Sequence, residues 1–189
     1  MHNLMNTTPK DLSKEAPESP RTRTTGYAIL ARMADKGRAV IAGTAGDFHF
    51  DCPLDNYLFS FKGVKGADVK PLLEAGADNE AIAAWMDAHG DPKTEAEKQA
   101  WSDSVEAARP YDNEEKKEWF IGVCQEVGID PATSTLFDYL EADDKLIGKA
   151  SSLYPAPHHP WEGPLALRGS IRQLGCAFVW HPNVRRPPV

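Results

Sequence analysis

The chain has 189 residues, of which 41% are hydrophobic, and 21 Lys and Arg against 28 Asp and Glu set a formal charge of −7. That length suits one domain able to bury a core without disulfide or metal staples. The acidic total argues against a nucleic-acid or anionic-membrane partner, because phosphate binding needs a basic face, and no run approaches the roughly 18 apolar residues of a membrane-spanning helix.

Residues 1–20 are polar, carry Pro9, Pro17 and Pro20, and read as an extended N-terminal arm with at most one helical turn at Asp11-Leu12-Ser13. They lack the apolar stretch and cleavage pattern of a secretory signal. The stretch 24–42 predicts a helix: Tyr27, Leu30, Ala31, Ala34 and Ile41 fall on one face, with Thr24 or Thr25 as cap. Gly37 weakens it by about 1 kcal/mol relative to Ala, and a break there would leave Ala39–Ala42 as a short strand. Gly43 and Gly46 then mark a turn, and Phe48-His49-Phe50 alternates as one arm of a minor β-hairpin near residues 39–52 would. Pro53 suits the first turn of the next helix, 54–62, which Gly63 stops.

A short helix is expected over Asp68–Glu74. Asp78 caps another, running through Ile82, Trp85 and Met86 to His89 and the Gly90 stop. Thr94 and Glu97 have capping-box spacing at the head of a helix closed by Pro110. Asp112 or Asn113 caps a helix with Trp119, Phe120, Val123 and Val127 inward, ended by Gly128; the last runs from Thr133 to Leu146. The fold class is therefore all-α: a mainly helical single domain over about residues 8–150, with the small hairpin as its one β element.

Residues 151–189 differ in kind. They hold seven prolines, four arginines, no lysine and one acid, Glu162, so they are net positive while the rest carries the acidic excess. Such a shift marks a separate piece, read as a flexible tail: a docking segment or, slightly favoured, the product of a frameshift or read-through.

Six segments resemble one family: DLSKEAPESPRTRTTGY in the arm, ILARMADKGRA, AGTAGDFHFDCPLDNYLFSFKGV, QAWSD at 99–103, KKEWF at 116–120 and STLFDYLEADD at 134–144. They keep the order found in the bacterial domain-of-unknown-function family DUF5069, over about residues 8–147. One departure is Thr24-Thr25-Gly26-Tyr27, where that family has a Leu-Gly-Gly-Tyr type of run; it would loosen the start of the first helix. The resemblance implies a bacterial cytosolic protein and no established activity.

The densest chemistry lies in His49-Phe50-Asp51-Cys52-Pro53-Leu54-Asp55. Cys52 is the candidate nucleophile, with His49 and Asp55 in support. A thiol near an imidazole, or at the positive end of a helix, is more easily ionised. The bland alternative makes Cys52 a small buried hydrophobe and Asp51 or Asp55 a helix cap. Strand geometry would put His49 and Cys52 on opposite faces and favours that alternative. Tyr27, Arg38 and Asp51 are the candidate ligand-binding residues, and Arg38 with Asp55 is the expected buried pair. Arg32, Asp35 and Lys36 are spaced for ion pairing along one helix.

Cys52, Cys124 and Cys176 are scattered and odd in number, which fits a reducing cytoplasm rather than a disulfide framework or a zinc site. His158, His159 and His181 lack companion ligands, the glycine turn 43–46 lacks a phosphate-loop pattern, and the acids near 141–144 lack calcium-loop order. No metal and no cofactor is expected. With no complete catalytic set, the leading reading is a binding or interaction domain for a small molecule or protein. The alternative is a small cysteine-dependent enzyme or redox-sensitive protein using Cys52, and a purely structural role in an assembly is a third.

Overall fold

The structure, a computed structural model, describes residues 7–147. The proline- and arginine-rich stretch 151–189, its three histidines and Cys176 lie outside the described residues. Seven α-helices follow in chain order: α1 Leu30–Ala42, α2 Pro53–Lys62, α3 Gly66–Glu74, α4 Asn79–His89, α5 Glu95–Glu106, α6 Glu114–Val127 and α7 Leu136–Asp144, with a 3-10 turn at Pro110–Asp112. Among the described residues there is no strand, only an isolated bridge between Thr24 and Tyr27. The hairpin expected near 39–52 does not form, because α1 runs through Gly37 to Ala42 without a break.

Gly37 is in α1 for space, not for flexibility. A Cβ there would come within 2.4 Å of Leu73 Cδ1 and 3.0 Å of the Phe50 ring. The missing side chain lets α3 and the 44–52 loop press onto the helix. At its other end, α1 starts at Leu30 and not near Thr24. Ile29 occupies the cap position with φ 70°, a region that β-branched residues rarely enter. Long-range bonds hold it there: the Ile29 amide donates to Pro20 O, and the Ala28 amide donates to Ser102 Oγ.

The punctuation of the later helices matches their sequence signals. Asp78 accepts from the Ala81 amide. Thr94 and Glu97 close a capping box, and Asn113 accepts from the amides of Glu115 and Lys116. The last helix is shorter than expected: Thr135 and Asp138 cap it, while residues 130–134 form a turn closed on Asp130.

The main core gathers α1 with α2, α3 and α4 around Leu30, Met33, Leu58, Phe59, Ile82 and Met86. A second, smaller cluster of Phe120, Val123, Cys124 and Tyr139 joins α6 to α7. The arm straps both. Leu12 is fully buried and its amide donates to Thr44 O, while Arg21 reaches Glu106, Asp138 and Glu141.

Helix α1 is buried on every side from Leu30 to Ala39. A helix so placed is normally apolar all round, yet this one carries Arg32, Asp35, Lys36 and Arg38. Each charge meets a partner from a different part of the chain. Arg32 grips Asp144 of α7. Asp35 takes Lys10 and the Glu18 amide of the arm. Lys36 meets Asp55 and Cys52 of the α2 entry. Arg38 binds Ala77 O and Asn79 Oδ1 at the start of α4.

Candidate functional site

Between the two clusters lies a cavity of about 120 Å³. This is space for a small organic molecule, since one water needs only about 10–15 Å³ by the same measure. One wall is α1 and the entry to α2, with Ile29, Arg32, Lys36, Cys52 and Leu54. The opposite wall is α6 and α7, with Lys116, Trp119, Tyr139 and Leu140; Val105 and the 108–110 segment close the end. At the edge of this cavity α7 is tied to α1 through Arg32 and Asp144.

At one end sits a group of three ionisable side chains. The Lys36 ammonium lies 2.7 Å from Asp55 Oδ1 and donates to Cys52 Sγ at 3.0 Å. Lys36 is 4% exposed and Asp55 0%; Cys52, 6% exposed, lines the cavity. Burial pushes the Asp55 carboxyl up to about 7 against the pull of Lys36. Burial also works to discharge Lys36, but the charges of Asp55 and Cys52 outweigh it and hold the ammonium above its ordinary value. Cys52 is the cap residue of α2, with extended backbone, and Pro53 follows at the first helical position. Neither Asp51 nor Asp55 caps that helix.

The residues singled out from sequence separate in space. Cys52 and Asp55 converge on Lys36. His49 lines the same cavity from an exposed position in the 47–49 loop. Asp51 is exposed, has φ 60° and accepts from Asn56 Nδ2. Tyr27 is fully buried elsewhere: its hydroxyl donates to Asp87, and the ammonium groups of Lys62 and Lys98 lie over its ring. Arg38 faces α4, so the expected pair of Arg38 with Asp55 is replaced by Lys36 with Asp55. The reason is helical phase: two residues apart on α1, Lys36 and Arg38 point in different directions.

Lys36 is not among the candidate site residues of the sequence, where it reads as one member of the ion-pairing group Arg32, Asp35 and Lys36 on α1. The signal that could have found it is the run of four charges inside an otherwise apolar helix. The far wall, with Lys116, Trp119 and Tyr139, had no local signal at all. Burial lowers the Lys116 ammonium to about 8, so its charge is adjustable near neutral pH. Among the described residues no group of three or more His, Cys, Asp or Glu side chains is placed to hold a metal ion, and no helix is long and apolar enough to cross a membrane.

These features define a mainly helical domain with a partly apolar, cation-bearing cavity beside a buried ammonium–thiol–carboxylate group. The chain belongs to the DUF5069 family, a domain of unknown function, whose pattern matches residues 14–146. No curated protein matches it.

Proposed function

We propose that the domain binds a small organic anion with an apolar body in the cavity between α1–α2 and α6–α7. The observation that carries this reading is the gathering of Arg32, Lys36, Arg109 and Lys116 on one cavity of a chain whose total charge is −7. Two acids, Asp47 and Asp143, also face it, and Arg32, Lys36 and Arg109 carry ion pairs to Asp144, Asp55 and Asp112, so the cationic lead lies in the side chains that line the cavity and not in its net charge. Ile29, Leu54, Val105, Leu136 and Leu140 offer an apolar surface, and a few polar groups in a mostly apolar concavity are the usual make-up of a small-molecule site. An acidic protein of this kind is a poor partner for nucleic acid. Scattered cysteines fit a cytoplasmic setting, and the family resemblance suggests a bacterial one.

Thermal shift tests the reading, since a ligand that binds only the folded state raises its melting temperature. Octanoate, benzoate and phenyl phosphate are compared with neutral octanamide and benzamide. The expected result is a rise in Tm with at least one anion and none with its neutral counterpart. No shift with any anion at millimolar concentration would overturn it.

A further inference from the structure

We propose that Cys52 is a nucleophilic thiol whose thiolate is held by the Lys36 ammonium, and that a hydroperoxide with an apolar body, entering through the cavity, oxidises it to a sulfenic acid. The inference rests on the cavity reading above for access, and on the Cys52 environment for the chemistry.

The thiolate, not the thiol, is the nucleophile, and a neighbouring cation favours it. Lys36 is 3.0 Å from the sulfur and is anchored from its other side by Asp55 at 2.7 Å. The anchor fixes where the ammonium points, so the sulfur meets a positioned charge. Cys52 is otherwise covered, and the cavity is its approach. Cys124 shows the contrast within the same chain. It is fully buried in the α6–α7 cluster, and burial pushes its thiol up to about 11.

Other charges face this end of the cavity. Arg32 on α1 brings a cation with the Asp144 carboxylate of α7 paired to it. Tyr57 on α2, with Asp47 and His49 in the preceding loop, also lines the cavity, and Asp55 stands behind Lys36, 2.7 Å from its ammonium. Lys116 and Asp143 stand on the far wall. Asp55 matters most, because it competes with the thiolate for the single Lys36 charge. Removing the carboxylate should therefore favour the thiolate, and removing the ammonium should disfavour it.

In the step, the Cys52 thiolate attacks the terminal oxygen of R–OOH. The S–O bond forms as the O–O bond breaks, the departing RO⁻ takes a proton from water, and R–OH leaves. The sulfur is oxidised by two electrons and the peroxide is reduced by two.

The test uses the full chain and site-resolved mass spectrometry, so that each cysteine reports separately. Iodoacetamide labelling between pH 5 and 9 should show Cys52 reacting at least about tenfold faster than Cys124 at pH 6.5, with an apparent pKa below the ordinary thiol value of about 8.5. Lys36→Met should move that midpoint up by a unit or more, and Asp55→Asn should move it down. If Lys36→Met does not fold, the Asp55→Asn shift and a charge-keeping Lys36→Arg variant decide. Cumene hydroperoxide with dimedone should leave the sulfenic-acid adduct on Cys52. A Cys52 that stays protected until denaturation, a midpoint that does not respond to these variants, or a reactive thiol that gives no dimedone adduct overturns the proposal. An anion-induced Tm rise that persists in Cys52→Ser, together with any of those failures, would leave the cavity reading standing without this one. Dimedone trapping on Cys52 with no anion response would do the reverse.

Discussion

Arg32 in α1 and Asp144 in the last turn of α7 form a two-point ion pair, with nitrogen–oxygen distances of 2.6 and 2.9 Å. Both side chains are under a tenth exposed. The pair joins the beginning of the helical region to its end and sets one edge of the cavity. Breaking a buried pair by removing one partner typically costs about 3–5 kcal/mol, whereas replacing both with apolar groups is far milder. Arg32→Met should therefore lower the urea midpoint sharply, and Arg32→Met with Asp144→Leu should recover most of the loss. Equal midpoints for the single variant and wild type would show the pair to be idle.

Asp55 makes a pH prediction of definite sign. Its folded-state carboxyl is raised to about 7 by burial, above the ordinary value near 3.9. Between those values the folded chain holds a proton that the unfolded chain has lost. Stability contributed at this site therefore falls as pH rises from about 4 to about 7, and levels off above. Urea midpoints measured across that range should decline for wild type relative to Asp55→Asn. A constant difference between the two proteins would show an ordinary carboxyl.

Gly37 offers a packing test. Alanine is the better helix former by about 1 kcal/mol, yet its Cβ would fall 2.4 Å from Leu73 Cδ1. Leu73 is 4% exposed and has little room to give. Overpacking costs about 1–3 kcal/mol, so Gly37→Ala should be destabilising on balance. In a Leu73→Ala background the same substitution should become neutral or stabilising. A cycle showing no coupling between the two positions would place the close approach elsewhere.

Lys116 ties the anion reading to pH. Burial lowers its ammonium to about 8, so the cavity loses one positive charge on passing above that value. Affinity for an anionic probe that raises Tm should weaken between pH 7 and 9. In Lys116→Met, affinity should be weaker at pH 7 and nearly level across the range. A probe whose affinity changes identically in both proteins would exclude Lys116 from binding.

Helix ends were the readable part of this chain. Asp78, Thr94 with Glu97, Asn113, Gly63 and Gly128 each act within four residues of themselves, and each stands where its side chain or backbone freedom predicts. The start of α1 was not readable. Thr24 and Thr25 have the chemistry of caps, but residues 26–29 are held by Pro20 and Ser102, distant in sequence. The break at Gly37 failed for a similar reason, because the space it leaves is filled by Leu73 and Phe50.

The same division runs through the site. That Cys52 opens a helix after an acidic, histidine-bearing turn, and that the chain is mainly helical with an acidic balance, are properties of residue order alone. Which charge meets which was decided by the tertiary structure. Lys36 has no acid three or four residues away on its own helix and goes to Asp55 and Cys52, because packing buried α1 from all sides and left each charge only the partner in front of it. A buried charge must be paired where it lies, and that place is set by how distant segments dock, which no local pattern records.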